Sequence, residues 1–259
     1  MARGPTDYTA SLEESFLTAI VQESRSVVRH LLVHTEAVRV IQPKHLSVNP
    51  SRWVLESLIS RGWDINQHDA DNGTGYGRKL LHHVCDDESL VSWALDHGYQ
   101  PDACTLDHSC SCPPLLDIVA LKGSVVTYKL LASLGLPRGS RTLHLAVNSC
   151  TNSSSLRMAM VKFLVDELEL DVNGLDTLRS LPDHWGSALC YAARWKSGHE
   201  EVVRFLLERG ANPTLSSDGR PNAVQVAESS ENQGVSTLLR QWVAADLSWL
   251  KLDVHTSSW

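Results

Sequence analysis

The chain repeats one pattern five times, and this repetition constrains its fold more than any other feature. Each copy joins an apolar stretch to two polar residues, a helix-ending residue and a short polar turn. The helix-ending residues lie 34 to 41 positions apart and are Gly62, Gly98, Gly135, Glu169 and Gly210. A glycine can adopt the left-handed conformation that ends a helix and lets the last carbonyls pair. Glu169 lacks that freedom, so its helix end is expected to be strained or longer.

A second set of short apolar stretches precedes each of the last four copies and also follows the fifth. The stretches are 79–85, 114–120, 141–147, 187–193 and 221–227. Helices this short are unstable alone and persist only by stacking on neighbours. The sequence therefore predicts stacked pairs of helices.

These stretches resemble the Thr-Pro-Leu-His-x-Ala-Ala signature of the ankyrin-repeat family. The match is close at Leu143-His144 and Ala192-Ala193 and looser in the last stretch, 221–227. The spacing is also near the family's period of about 33 residues. The resemblance covers about residues 50–240. It implies an all-α ankyrin-repeat solenoid of stacked helix–turn–helix units with N- and C-terminal helical caps.

The periodicity gives approximate boundaries. Residues 1–48 are expected to form an N-terminal helical cap or degenerate first repeat, with one long helix from Ser11 to Leu32. Residues 241–259 are expected to form the C-terminal helical cap, because terminal repeats have no neighbour on one face. Between them, 49–240 should contain repeats at about 49–78, 79–113, 114–140, 141–186, 187–220 and 221–240.

Composition narrows the classes of function and location. The net charge of −7 argues against nucleic acid as a partner, since phosphate binding needs a basic face. No apolar run reaches the roughly 18 residues of a membrane span, and the first residues do not resemble a secretory signal. The six cysteines are interpreted as reduced thiols. We therefore expect a monomeric intracellular protein of the cytoplasm or nucleus, with no membrane partner.

One segment has the residue types of a metal site. Four soft ligands fall within nine residues: Cys104, His108, Cys110 and Cys112. They could enclose a tetrahedral zinc, but their spacing is not that of a standard structural zinc site. The alternative is a polar loop with incidental thiols. We therefore predict that the protein has no metal and no other cofactor. The four residues are kept as the one candidate metal site.

Catalytic motifs are missing from the sequence. It contains no His-Glu-x-x-His, kinase set or Gly-x-Ser-x-Gly. Asp183 could orient His184 as a general base. However, the sequence contains no nucleophile at a spacing that would identify it as a catalytic partner of His184. Gly73–Lys79 lacks the Gly-Lys-Ser/Thr ending of a phosphate-binding loop. The chain is therefore predicted not to be an enzyme.

The family resemblance implies binding through the hairpin fingers and the concave face of the first helices. The residues predicted at those positions are Trp63, Tyr76, Arg78, His83, Tyr99, Arg138, Arg141, Trp185, Arg194 and Trp195. Tryptophan, tyrosine and arginine are the residues that dominate interface energetics. For Trp63, packing within the protein and contact with a partner are equally open interpretations.

Two functions follow from this interpretation. The first is a non-catalytic protein–protein interaction module, an adaptor, scaffold or regulator that binds one or more proteins. The alternative is an atypical solenoid with a small-molecule pocket, acting as a tailoring enzyme or carrier in a biosynthetic pathway. A groove for that pocket would combine His83, Asp117, Tyr191 or Trp195.

Overall fold

The fold was analysed in a computed structural model of the chain. It describes residues 14–22, 24–33, 38–39, 41–47, 51–70, 77–101, 114–152, 155–176, 185–216 and 219–255, with side chains as far as residue 245. Over these residues the regular elements are helical, apart from one isolated antiparallel bridge between Leu175 and Ser187. The predicted all-α fold is confirmed. The chain divides into two compact units, Met1–Leu115 and Leu116–Trp259.

The described residues of the first unit form α-helices and a 3-10 helix, and residues 38–39 are also helical. In chain order they are α1 at 14–21, α2 at Arg25–Leu31, the 3-10 helix at Pro43–Ser47, α3 at Arg52–Ile59, α4 at Leu80–Val84 and α5 at Glu88–Asp96. Helix α4 packs against both the 3-10 helix and α5. Its two leucines, Leu80 and Leu81, are fully buried.

The prediction of one long N-terminal helix is wrong. At Ser24 the backbone leaves the helical region, with φ −80° and ψ 84°, and α2 begins at the next residue. Serine is favoured at the residue that precedes a helix and is a weaker former inside one. Val28 and Leu32 are buried, whereas Val27 is 44% exposed.

The second unit is a series of helix pairs. Its helices are α6 at Leu115–Lys122, α7 at Val125–Ser133, α8 at Thr142–Asn148, α9 at Ser155–Lys162, α10 at Ala188–Ala193, α11 at Glu200–Glu208, α12 at Ala223–Ser229 and α13 at Gln233–His255. Helix α10 packs against α8 on one side and α12 on the other, so the first helices of three successive pairs stack directly. The small residues Ala188, Ala192 and Ala193 are fully buried in α10 and permit this close approach.

The helix-ending residues share one backbone conformation in both units. The φ angles of Gly62, Gly98, Gly135 and Gly210 lie between 81° and 88°. After Gly62, Gly98 and Gly210 the next residue's N–H bonds five residues back, as from Ala211 N to Leu206 O at 3.0 Å. Predicted helix ends and observed helix ends therefore coincide at these four glycines.

Glu169 occupies the same position without glycine's freedom. Its φ is 51°, a region disfavoured for side chains with a Cβ. Helix α9 widens into a π-helical turn at Phe163–Glu167 just before it. The closing bond then runs from Leu170 N to Leu164 O, six residues back. The predicted strain and lengthening of this helix end are both observed.

Replacing Glu169 with glycine is expected to raise the free energy of unfolding by about 0.5–1 kcal/mol, because it relieves the left-handed strain. The reverse change, Gly210→Ala, should lower it by about 1 kcal/mol, since a Cβ there meets no neighbour within 4 Å and only the backbone angle is penalised. Urea unfolding followed by circular dichroism measures both. Glu169→Gln removes the charge but keeps the Cβ, so a gain equal to that of Glu169→Gly would contradict the prediction.

Asparagine side chains link consecutive turns within each unit. In the first unit, Asn66 Nδ2 donates to Gly98 O at 2.9 Å and its Oδ1 accepts from Gln100 N at 2.7 Å. In the second unit, Asn173 makes the same pair of bonds with Gly210 O and Asn212 N, at 3.0 and 2.7 Å. Each bridge satisfies backbone groups that a helix end leaves unpaired. The turns are thereby aligned along one edge of each unit.

A search of the described helices finds none that is both long enough and apolar enough to cross a lipid bilayer.

Candidate functional site

Two tryptophans and an arginine form a stacked group in the second unit. The guanidinium carbon of Arg194 lies 5.3 Å from the ring centroid of Trp185 and 4.8 Å from that of Trp195. Both distances are within the range of cation–π attraction. Trp195 is 41% exposed, and the other two side chains are half-buried. We call Trp185, Arg194 and Trp195 the Trp–Arg surface.

Trp195 is held in place by polar contacts from neighbouring repeats. Its indole Nε1 donates to Asn148 Oδ1 at the end of α8, at 3.1 Å. Its backbone carbonyl accepts from Asn232 Nδ2, between α12 and α13, at 2.5 Å. The ring lies parallel to that of His199, with centroids 6.1 Å apart. An exposed indole is thus fixed in one orientation before any partner binds.

Trp185 is positioned by a buried carboxylate. The side chain of Asp176 is 1% exposed. Its Oδ2 accepts from Trp185 N at 3.0 Å and from the Tyr191 hydroxyl at 2.6 Å, and its Oδ1 accepts from Gly186 N at 3.0 Å. Burial of Tyr191, followed by the hydroxyl's bond to Asp176, raises the pKa of the phenol, so the group remains a neutral donor. Asp176 closes the finger onto α10.

Two further arginines, Arg141 and Arg220, lie near this carboxylate or the hydroxyl bound to it. Arg141 Nη2 donates to the Tyr191 hydroxyl at 3.1 Å, and its guanidinium carbon lies 5.7 Å from that ring's centroid. Arg220 Nη1 lies 4.0 Å from Asp176 Oδ1. Arg138 is exposed in the turn that precedes α8. Two predicted contact residues, Arg141 and Trp185, therefore meet through Asp176 and Tyr191.

The ankyrin-repeat family model matches residues 186–218. The chain contains an ankyrin repeat. This match confirms the resemblance on which the fold prediction rested, and it covers α10, α11 and the exposed Trp195. No curated protein matches the chain.

The ankyrin His position is occupied by a buried structural side chain. His144 is 3% exposed, and its Nε2 lies 3.0 Å from Gly174 O. Its ring makes an edge-to-face contact with Tyr191, with centroids 5.2 Å apart. Burial lowers the pKa of His144, which keeps the imidazole neutral. The residue links α8 to the finger that carries Asp176.

The first unit places its predicted contact residues differently. Trp63 and Tyr99 are each 4% exposed, and Trp63 Nε1 donates to Ile41 O at 2.9 Å. Their burial leaves almost no area for a partner, so packing explains both. Arg78 is exposed and His83 is half-buried.

His83 is tied to the finger that precedes α4. Its Nε2 lies 2.7 Å from Asp69 Oδ2, and Asp69 Oδ1 accepts from Lys44 N at 2.8 Å. Burial acts to raise the pKa of Asp69, but these hydrogen bonds outweigh it and hold the pKa below its usual value. The contribution of Asp69 to stability is therefore present above the ordinary carboxyl pKa and is lost as the pH falls through the lowered one.

Several predicted residues lie outside the described residues. They are Tyr76, the metal candidates Cys104, His108, Cys110 and Cys112, and the pair Asp183 and His184. Within the described ranges, no group of three or more His, Cys, Asp or Glu side chains could hold a metal ion.

The residues named for a small-molecule groove are committed to internal hydrogen bonds. Asp117 is 3% exposed and accepts from the Thr142 hydroxyl and from Gly139 N. Burial raises the pKa of Asp117 above its usual value. A cavity of about 360 Å³ does occur in the second unit. It is lined by a different set: Thr214, Asn222, Val224, Gln225, Glu228, Arg240, Val243 and Ala244.

Proposed function

We propose that the chain is a non-catalytic protein-interaction module, acting as an adaptor, scaffold or regulator. Ankyrin repeats are typically modules of this kind, and residues 186–218 match one. The observation that carries the proposal is the Trp–Arg surface, where the guanidinium of Arg194 lies within cation–π distance of both Trp185 and Trp195. The proposed contact surface also includes Arg138 and Arg141.

Physical arguments favour this surface as a binding hot spot. Tryptophan and arginine bury large areas and are enriched among residues that dominate binding energy. Trp195 is already held by Asn148 and Asn232, so binding would immobilise little that is free beforehand. The exposed area of the Trp195 indole therefore contributes more to binding a partner than to stabilising the fold.

Arg78, His83 and Tyr76 are proposed as secondary contacts in the first unit, whereas Trp63 and Tyr99 are assigned to packing. The partners are proposed to be one or more proteins, not nucleic acid, and the module is proposed to act as a monomer. We further place it in the cytoplasm or nucleus. Support comes from three cysteines that are buried as free thiols: Cys85, Cys150 and Cys190.

Selection of displayed random peptides on the immobilised full chain tests the proposal. Peptides that bind wild type should lose at least about tenfold in affinity for Trp195→Ala, because truncation of a hot-spot indole removes most of its contact. Trp242→Ala is the matched control, since Trp242 is 37% exposed in α13 and belongs to no part of the proposed surface.

Equal binding of the selected peptides to wild type and Trp195→Ala, with both proteins folded by circular dichroism, would refute the proposed surface. Loss of binding in Trp242→Ala alone would move the contact site to α13. Failure to enrich any peptide would count against peptide recognition itself.

A further inference from the structure

An open groove of about 360 Å³ lies at the last helix pair of the second unit. Helices α12 and α13 pack against each other and supply most of its lining. We call it the α12–α13 groove, and its residues on these helices are Val224, Gln225, Glu228, Arg240, Val243 and Ala244. None of them belongs to the Trp–Arg surface. The preceding repeats show which face of the helix pair this groove occupies.

The third residue of α8 and of α10 faces the next repeat. These residues are His144 and Cys190, and the third residue of α12 is Gln225. The His144 ring contacts Tyr191 of α10, and Cys190 Sγ lies 3.9 Å from Pro221 O, just before α12. His144 and Cys190 are buried, whereas Gln225 is exposed and lines the groove.

Two further positions show the same difference between α12–α13 and the preceding pairs. The sixth residues of α8 and α10, Val147 and Ala193, are fully buried, but the sixth residue of α12, Glu228, is exposed. In the second helices, the eighth residue of α11 is the buried Leu207, and that of α13 is the exposed Arg240. The groove therefore lies on the face that the earlier pairs use to stack the following pair.

Helix α13 extends this face because it does not turn where α11 turns. Gly210 lies ten residues after the first residue of α11 and has a φ of 84°. Val243 lies at the same distance from the first residue of α13, and a β-branched residue is strongly disfavoured at positive φ. The helix continues to His255, so Val243 and Ala244 form an apolar helical wall in place of a turn.

The polar residues of the groove are paired within the helix pair. Gln225 Oε1 accepts from Asn222 N at 2.9 Å, and Asn222 Oδ1 accepts from Gln225 N at 3.0 Å. Glu228 Oε1 accepts from Arg240 Nη2 at 2.6 Å. An occupant can therefore cover the half-buried Val224 without breaking these bonds. Such a mixture of apolar and paired polar groups is expected at an interface that is exposed to water when its partner is absent.

We propose that the α12–α13 groove binds one amphipathic helix of a partner protein, at the place where the next first helix of the stack would lie. The site is separate from the Trp–Arg surface, so the inference goes beyond the proposed function. Its support is the continuity of the stack, because α10 covers this face of α8, and α12 covers the same face of α10. The partner's helix covers it in α12.

The packing of α12 indicates which residues the partner's helix carries. Ala223, Val226 and Ala227 are the buried residues of α12 and form one stripe with the spacing i, i+3, i+4. Val226 is the fourth residue of α12, and the fourth residue of α10, Tyr191, contacts α8. The stripe therefore faces the preceding helix. A partner's helix with alanine or valine at this spacing can approach α12 as closely as α12 approaches α10.

Selection from a library of helical mini-proteins on the immobilised full chain tests the proposal. Each member is a three-helix bundle in which the exposed face of one helix is randomised. Enriched members should carry small residues, alanine, serine, glycine or valine, at i, i+3 and i+4 of that face. The reason is that larger side chains would keep the helix backbone away from the groove.

Three variants locate the binding of the enriched members. Ala244→Arg should weaken it at least about tenfold, because Ala244 is exposed in the groove and an arginine there would occupy the space of the helix. Ala245→Arg is the matched control, since it adds the same side chain about 100° further around α13, outside the groove lining. Its effect should be less than about threefold. Val224→Gln removes apolar area from the α12 wall and should weaken binding at least about threefold.

Circular dichroism confirms that each variant folds, and the outcomes then decide. Failure to enrich any helix overturns the inference, and so does equal binding by wild type and Ala244→Arg. An equal loss in Ala245→Arg, or no loss in Val224→Gln, would place the contact on α13 outside the groove. Aromatic residues at i, i+3 and i+4 of the enriched members would contradict the small-residue stripe. Trp195→Ala should bind the same members within about threefold of wild type, so this site and the Trp–Arg surface are tested separately.

Discussion

Replacing Asp176 with alanine is expected to destabilise the second unit by about 3–5 kcal/mol. The carboxylate is 1% exposed and accepts from two backbone N–H groups and the Tyr191 hydroxyl. Alanine leaves these three buried donors without their acceptor, and each unsatisfied donor is penalised by about 1–3 kcal/mol. Asp176 also orients the Tyr191 hydroxyl, which accepts a hydrogen bond from Arg141. The variant therefore weakens that bond as well. Urea unfolding, with hydrogen exchange of the α10 amides, measures the loss.

Two other variants calibrate this result. Asp176→Asn keeps one acceptor oxygen and should be destabilising by less than alanine. Asp166→Ala removes an aspartate whose side chain is 43% exposed and paired with Arg209, so a change below about 1 kcal/mol is expected. A loss in Asp176→Ala no greater than that in Asp166→Ala would mean that the buried carboxylate does not hold the finger to α10.

Helix ends can be predicted well from the sequence, because the backbone conformation at a helix end restricts the type of residue there. A left-handed residue at the end of a helix favours glycine, and that requirement recurs once per repeat at Gly62, Gly98, Gly135 and Gly210. The exception is equally informative. Glu169 keeps the left-handed angle, and the helix before it accommodates one additional residue in a π turn. Local constraints that repeat can be recognised in a single sequence.

Burial of individual aromatic residues was harder to predict. The sequence predicts partner contact for Tyr99 and leaves packing and recognition equally open for Trp63, yet both are 4% exposed. Each directly follows a helix-ending glycine, and so do Leu136 and Ala211, which are 9% and 3% exposed. The position after the glycine therefore faces the core whatever residue occupies it. Comparing the same position across repeats is the signal that would have corrected the assignment.

Asp176 could not be recognised from the sequence. It lies in a finger whose length differs from that of the other repeats, so no repeated position identifies it. Its three donors come from Trp185, Gly186 and Tyr191, and only the fold brings them together. The same is true of Arg194, whose two stacking partners lie on opposite sides of it in the chain. Tertiary contacts of this kind depend on folding as a whole.

A methyl group added at Gly139 is expected to destabilise the second unit by about 3 kcal/mol. An alanine Cβ there would overlap the carboxylate of Asp117. That carboxylate is buried and accepts hydrogen bonds from the Thr142 hydroxyl and from Gly139 N itself, so it cannot move without losing them. Gly135→Ala, four residues earlier, is the matched control. Its Cβ would meet nothing within 4 Å, so only its φ of 81° is penalised, by about 1 kcal/mol.

A double-mutant cycle identifies the cause of the Gly139 effect. If the clash with Asp117 is responsible, Gly139→Ala should be much less destabilising when Asp117 is already alanine, because the overlapping atoms are gone. Residues in direct contact give such coupling, whereas independent effects add. Urea unfolding of the two single variants and the double variant supplies the comparison. Additive losses would show that the turn before α8 requires glycine for its backbone and not to accommodate the buried carboxylate.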